Sequence, residues 1–182
     1  MDLSRREWLF GSLTAGSLAE IAAAREHARQ TVANAAAPRF QFFDASMAAD
    51  VEVIAAEILP SGDGPGAKET GVVYFIDRAL HTFDAEQQNV YRAGMREVRE
   101  TRQKLFPDAA SVAALTAEQR LALVWAIEHT DFFEVVRIHT LLGFLGNPSY
   151  GGNRNKLGWN YIGFEDRMAW EPPFGYYDAE AK

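Results

Sequence analysis

The sequence predicts an all-α protein: a bundle of four to five helices, followed by a long irregular C-terminal segment rich in aromatic residues and glycine. Three observations lead to this fold class. Several separate stretches carry apolar residues at every third or fourth position, which is the period of a helix with one buried face. Residues that cap helix N-termini precede these stretches. No stretch alternates apolar and polar residues for long enough to predict a strand.

The first helix is predicted to begin after Asp44, whose side chain suits the N-cap position, and to end before Pro60, which cannot continue a helix. Its apolar stripe contains Met47, Val51, Ile54 and Ile58. The glycine-rich loop over residues 61–66 lacks the Gly-Lys-Ser/Thr sequence of a phosphate-binding loop, and no predicted strand precedes it. We therefore interpret this loop as a turn at the end of a helix.

A second helix is predicted over residues 69–83 and a third from Asp84 to the neighbourhood of Phe106 and Pro107. The apolar stripe of the second helix contains Val72, Ile76, Ala79 and Phe83. Asp84 and Gln87 are three residues apart and resemble a capping box at the start of the third helix.

A fourth helix is predicted to begin at Thr116, because Thr116 and Gln119 repeat the capping-box spacing. Thr130 and Asp131 offer a position at which a new helix can begin midway. The apolar stripe of this long helical region contains Leu121, Trp125, Glu128, Phe132, Val135, His139 and Leu142.

The last segment, residues 146–182, has no helical or strand period. A structureless segment of this length is usually functional, and this one is too aromatic for an ordinary disordered tail. It either wraps its own bundle or binds another protein, and one segment can do both. Rigid rings with asparagine and glycine suit a protein interface. The residues expected at a partner interface are Tyr150, Gly151, Gly152, Asn153, Gly158, Trp159, Gly163, Phe164, Trp170 and Phe174.

The N-terminus begins with Arg5 and Arg6, followed by a weakly apolar stretch over residues 8–19. This pattern predicts a twin-arginine export signal, which directs folded proteins to the periplasm. The alternative is an amphipathic helix with an incidental arginine pair. Small residues permit cleavage after Ala37, although cleavage elsewhere or none stays open. The chain is therefore divided into a signal segment, residues 1–37, and one helical domain, residues 38–182, with its interface tail at 146–182.

Composition argues against several classes of function. The chain has no cysteine, which excludes disulfides, thiolate zinc sites, cysteine-ligated iron–sulfur clusters and covalent c-type haem. A net charge of -7 argues against a nucleic-acid partner. No catalytic motif occurs, and we predict no catalytic, cofactor-binding or metal-ligating residue in this chain.

His139 is the best candidate for a functional histidine among the four in the chain. On one straight helix, His129 and His139 would lie about 15 Å apart along the axis, so they would not share a metal ion. The alternative to a functional role is that His139 is a buried polar group with a hydrogen-bond partner elsewhere in the fold.

The sequence also resembles the gluconate 2-dehydrogenase subunit 3 family from Ala45 onward. The most specific part is the block formed by residues 150–153 and 158–159. The other residues that carry the resemblance are Leu59, Pro60, Pro65, Gly66, Ala67, Gly71, Val72, Phe75, Ile76, Asp77, Phe132, Phe133, Arg137, His139, Thr140, Gly143, Phe144, Asn147, Pro148, Ser149, Ile162, Gly163 and Phe164.

This resemblance implies a small subunit of a periplasmic FAD-dependent dehydrogenase that acts on sugars, sugar acids or glycosides. In such complexes the flavin lies in a large glucose-methanol-choline-type subunit, and electrons often leave through a c-type cytochrome subunit with haem c. The small subunit carries no redox cofactor and is thought to help the flavoprotein mature and to carry it through the twin-arginine translocase. The partner subunits would then associate it with the cytoplasmic membrane. The run over residues 172–178 resembles members paired with glucoside 3-dehydrogenases.

Two other functions stay open at the level of sequence. One is a stand-alone periplasmic enzyme or small-molecule-binding protein that uses His139 and the loop from Tyr150 to Asn153. The other is a structural adaptor for a different exported complex.

Overall fold

The computed structural model describes residues 40–167 and 169. Within them the chain forms six α-helices and no β-strand, which confirms the predicted all-α class. The helices are α1 (Ala45–Ile58), α2 (Val72–His81), α3 (Gln88–Leu105), α4 (Ala117–Ile127), α5 (Asp131–Leu145) and α6 (Leu157–Tyr161). No helix in the described part is long and apolar enough to cross a membrane. The predicted signal residues Arg5 and Arg6, and the predicted interface residues Trp170 and Phe174, lie outside the described residues.

Helix α1 begins as predicted, because the Asp44 side chain accepts a hydrogen bond of 2.8 Å from the backbone N–H of Met47. It ends at Ile58, two residues before Pro60. Val51 and Ile54 are fully buried, so the predicted stripe does face the core.

The segment before α1 is fixed to α2 by a buried carboxylate. Asp77 on α2 accepts hydrogen bonds from the backbone N–H groups of three consecutive residues, Gln41, Phe42 and Phe43, at 2.8 to 2.9 Å. The ring of Phe43 lies in the core, 6.0 Å from that of Tyr91. The sequence pattern did not predict this anchor.

Helix α2 is shorter than the predicted range of residues 69–83. Gly71 precedes it in a left-handed conformation, with φ of 69°, and the helix ends at His81. Phe83 therefore lies beyond the helix and is 56% exposed, so its predicted place on the buried stripe was wrong.

The predicted capping box at the start of the third helix was also wrong. A 3-10 turn, Ala85–Gln87, precedes α3, and the Asp84 side chain makes no capping hydrogen bond. Its carboxylate instead lies 2.6 Å from the imidazole of His139.

The fourth helical region consists of two helices, and both predicted starting points are confirmed. Thr116 and Gln119 form a complete capping box, and the Thr130 side chain accepts a hydrogen bond from Phe133 at the start of α5. The single stripe predicted across both helices was wrong: Leu121, Trp125 and Leu142 are exposed. The break at residues 128–130 changes the helical phase, so one period of 3.6 residues does not continue across it. The buried residues of α4 and α5 are Leu123, Val124, Ile127, Phe132, Val136, His139, Thr140, Gly143 and Phe144.

Helix α5 lies at the centre of the packing, in contact with α1, α2, α3 and α6. Gly94 on α3 allows close approach, because a Cβ there would clash with the side chain of Phe132. The described part of the C-terminal segment wraps this bundle. The backbone N–H of Asn153 donates to the Gly143 carbonyl at 2.8 Å, and the Trp159 indole N–H donates to the Leu145 carbonyl at 2.6 Å.

Candidate functional site

Helix α5 carries a second apolar face in addition to the one in the core. Ile138, Leu141, Leu142 and Leu145 follow one another at positions i, i+3, i+4 and i+7, so they share one side of the helix. Each is between 41% and 51% exposed. We refer to these four residues as the exposed face of α5. Contiguous apolar surface of this kind marks interaction sites more often than isolated exposed leucines do.

A groove with aromatic walls adjoins this face. Leu142 and five other residues enclose a volume of about 380 Å³. The ring of Phe83 lies 6.0 Å from that of Phe75 and 5.8 Å, edge to face, from that of Tyr150. Tyr150 is 48% exposed. The residues that line this aromatic groove are Phe75, Phe83, Leu142, Gly146, Asn147 and Tyr150.

The loop that carries Tyr150 is held by local and long-range hydrogen bonds. The Asn147 side chain accepts from the backbone N–H of Ser149 at 3.0 Å. The Ser149 carbonyl accepts from the Arg78 guanidinium on α2 at 2.6 Å. Gly151 follows with φ of 105°, a conformation that favours glycine. Tyr150 is therefore presented on an ordered loop.

His139 lies beneath the groove in a buried network and is 4% exposed. Its Nδ1 lies 3.0 Å from the Tyr91 hydroxyl, and its Nε2 lies 2.6 Å from Oδ2 of Asp84. Burial, and then the negative charge of Asp84, raise the pKa of Tyr91 well above its usual value. The Tyr91 hydroxyl thus stays protonated, and each ring nitrogen of His139 lies within hydrogen-bonding distance of one side chain, Nδ1 of Tyr91 and Nε2 of Asp84.

Five of the predicted interface residues lie where the C-terminal segment meets the bundle: Gly151 lies against the backbone of α2 at Tyr74, and Gly152, Asn153, Gly158 and Trp159 lie against α5. Asn153 is fully buried; its amide donates to the Gly146 carbonyl and accepts from the Gly158 N–H, both at 2.9 Å. A Cβ at Gly152 or Gly158 would clash with a backbone carbonyl oxygen of α5. These residues hold the segment to its own bundle, and their role at a partner interface stays a prediction.

Three predicted interface residues are exposed in the described part of the chain: Tyr150, Gly163 and Phe164. The Phe164 ring packs against the buried Trp159 with 5.0 Å between ring centroids. The sequence interpretation missed Phe83 and most of the exposed face. The sequence of residues 131–145 does indicate this second face, because it carries apolar side chains on two sides of the helix. That pattern is typical of a helix whose two sides both pack against other protein.

No group of three or more histidine and acidic residues within the described range could hold a metal ion. His129, the other histidine weighed as a ligand, is exposed beside Glu128 in the break between α4 and α5. His139 uses both ring nitrogens within the fold, so the network as it stands stabilises structure.

A family model described as "Gluconate 2-dehydrogenase subunit 3" matches residues 45–166, which is more than half of the chain. The match includes α1 to α6, the exposed face of α5, the aromatic groove and the His139 network. Comparisons with curated proteins and with solved structures gave no match.

Proposed function

The chain belongs to the gluconate 2-dehydrogenase subunit 3 family, and from this membership we propose that it is the non-catalytic small subunit of a periplasmic FAD-dependent sugar or glucoside dehydrogenase. In this proposal the chain binds the large flavin-containing subunit, supports its maturation and stability, and accompanies it through the twin-arginine translocase. A c-type cytochrome subunit is a further partner, and the partners associate the complex with the cytoplasmic membrane.

The observation that carries the proposal is the exposed face of α5 together with the aromatic groove beside it. Four half-exposed aliphatic side chains and two exposed rings form one apolar region on a chain whose family name denotes a subunit. Burying the exposed half of one such leucine against a partner contributes about 1 kcal/mol, since complete burial of an exposed leucine contributes about 1.5–3 kcal/mol. An exposed helix face with an adjoining groove is better suited to bind another protein than to bind a small molecule, which usually occupies a more enclosed pocket.

The export role is supported by the pair Arg5 and Arg6. The twin-arginine route carries folded proteins. A flavoprotein that binds FAD in the cytoplasm needs such a route, and it can use the signal of a bound subunit. Replacing both arginines with lysine should therefore leave this chain and the flavoprotein in the cytoplasm, measured by cell fractionation. The escort role would be wrong if the flavoprotein still reached the periplasm. The whole accessory function would be wrong if the flavoprotein folded, bound FAD and was exported without this chain.

The interface is tested by co-purification with the flavin-containing subunit, which the proposal expects to be encoded beside this chain. Leu142→Ala should weaken binding by about 2 kcal/mol if Leu142 is an interface hot spot. Its melting temperature should change little, since the side chain is 51% exposed. The matched control is Trp125→Ala, which removes a 64% exposed ring on α4, outside the exposed face. Weaker binding by the control alone would place the partner on α4. If no flavoprotein gene lies beside the gene for this chain, the alternative of a structural adaptor for a different exported complex would be favoured.

The alternative of a stand-alone enzyme or small-molecule-binding protein has less support. His139 is buried with both ring nitrogens engaged, and the Asn153 amide is engaged at both ends. Only Tyr150 of the proposed residues is presented to solvent. Turnover of a sugar by the purified chain, without the flavoprotein, would establish the alternative and exclude a purely accessory role.

A further inference from the structure

Asp84 departs from the behaviour expected of an aspartate at this position. It precedes the 3-10 turn Ala85–Gln87, where an aspartate side chain commonly accepts hydrogen bonds from the first N–H groups. Its carboxylate makes no such bond and binds His139, 55 positions further along the chain, instead. An aspartate that makes a distant contact in place of its usual local hydrogen bonds indicates a requirement of the folded structure or of function.

That contact connects two sides of the aromatic groove. Asp84 directly follows Phe83, one aromatic wall, and His139 precedes Leu142, another lining residue, by one turn of α5. Phe75 joins the two, because its ring contacts His139 edge-on at 6.3 Å and Phe83 at 6.0 Å. The bond between the carboxylate and the imidazole therefore fixes the turn that carries Phe83 relative to α5.

The other hydrogen bond of His139 fixes the imidazole itself. The Tyr91 hydroxyl on α3 binds Nδ1 at 3.0 Å, and the two rings stack at 5.7 Å with 19° between their planes. Tyr91 is fully buried. The imidazole is thus held by α3 on one side, and its Nε2 is directed to Asp84 on the other.

We propose that His139 and Asp84 are positioning residues of the aromatic groove: their hydrogen bond holds Phe83 against Phe75 and Tyr150, so that the groove is formed before a partner binds. The proposal rests on the proposed function, in which the groove receives the flavin-containing subunit. A preformed site loses less conformational entropy on binding than one that must be assembled. Loss of the bond should weaken partner binding through the displacement of Phe83.

The first test needs no partner: nuclear Overhauser effects between aromatic protons report whether the rings of the groove are in contact in the isolated chain. Contacts between the rings of Phe83 and Tyr150 should be present in the wild type, absent in Asp84→Ala, and present in the control Asp63→Ala, which removes an exposed carboxylate in the loop after α1. The helical circular dichroism should be the same in all three. Ring contacts that persist in Asp84→Ala would overturn the positioning role.

The second test is a double-mutant cycle read as affinity for the purified flavoprotein. Phe83→Ala should raise Kd about tenfold, and Asp84→Ala about three- to tenfold, in the range of moderate interface substitutions. In the Phe83→Ala background, Asp84→Ala should have no further effect on Kd, because the ring that Asp84 positions is already absent. An equal effect of Asp84→Ala in both backgrounds would contradict action through Phe83.

The two proposals fail in different ways. If both Phe83→Ala and Leu142→Ala leave Kd unchanged, the groove is not the interface and that part of the proposed function is wrong. The ring contacts measured in the isolated chain then still decide whether Asp84 positions Phe83. If those variants weaken binding and Asp84→Ala does not, the interface stands and the positioning role is wrong. His139→Leu, which has no polar atom to bind Asp84, serves as the second variant should Asp84→Ala fail to fold, with the same expectation for the ring contacts.

Discussion

At the scale of single residues, Asp77 shows how one buried carboxylate organises a chain segment. It accepts three consecutive backbone N–H groups, of which that of Phe43 is buried and that of Gln41 belongs to an exposed residue. Asp77→Ala removes the acceptor of these donors and should destabilise the fold by about 1–3 kcal/mol, the cost of one buried unsatisfied donor, because water can replace the carboxylate at the exposed residue Gln41. Urea denaturation followed by circular dichroism measures the change.

The matched control for Asp77 is Asp63→Ala, a loop carboxylate whose removal should change stability by less than about 0.5 kcal/mol. Equal urea midpoints for the two variants would show that the segment over residues 40–43 contributes little to the folded state.

Single residues also show which contacts a sequence can reveal. Asp44, Thr116 and Thr130 were predicted as caps, because each acts on N–H groups within three residues of itself. Asp77 and Asp84 were not understood, since their partners lie 34 to 36 and 55 positions away. The composition around such residues does not identify a distant partner, so the local interpretation of Asp84 was plausible and wrong.

At the scale of elements, the C-terminal segment is more regular and more closely packed on its own bundle than the sequence predicted. The block around Asn153 and Gly158 was singled out as specific, and the structure gives a physical reason: the segment approaches the carbonyl end of α5 too closely for a Cβ at Gly152 or Gly158. The expectation of no regular structure was wrong for residues 157–161, which form α6. So short a helix depends on tertiary contacts, which a periodicity search does not detect.

This packing leads to a prediction for Gly152→Ala. The new methyl group would clash with the Gly143 carbonyl oxygen, which should push the segment away from α5 and destabilise the fold by about 1–3 kcal/mol. The amide protons of Asn153 and Arg154, which bind backbone carbonyls of the bundle, should then exchange faster with solvent. Hydrogen exchange followed by mass spectrometry measures this locally.

The control for this variant is Gly62→Ala, because no heavy atom lies within 4 Å of a Cβ built there. It should leave exchange at residues 153–154 unchanged. If Gly152→Ala behaved like this control, the close approach of the segment to α5 would not be needed for its packing.

At the scale of the whole molecule, two opposing forces act on the isolated chain. The exposed face of α5 favours association, because burying apolar side chains lowers the free energy. The net charge of -7 opposes association between copies by electrostatic repulsion, which salt screens over about 10 Å at 0.1 M ionic strength. The balance between the two should therefore depend on ionic strength.

We expect the chain purified without its partner to self-associate increasingly as salt rises, measured by sedimentation velocity at several concentrations. The double variant Leu141→Lys, Leu145→Lys should remain monomeric at every salt concentration, since it places charge on the exposed face while altering side chains that are both 41% exposed. Trp125→Lys, which also adds charge but on α4, should still self-associate. Association that is unaffected by the leucine substitutions, or that weakens as salt rises, would show that charge pairs rather than this face bring the copies together. Suppression of the association by added flavoprotein would connect the same face to the proposed partner, because one surface cannot be buried against two proteins at once.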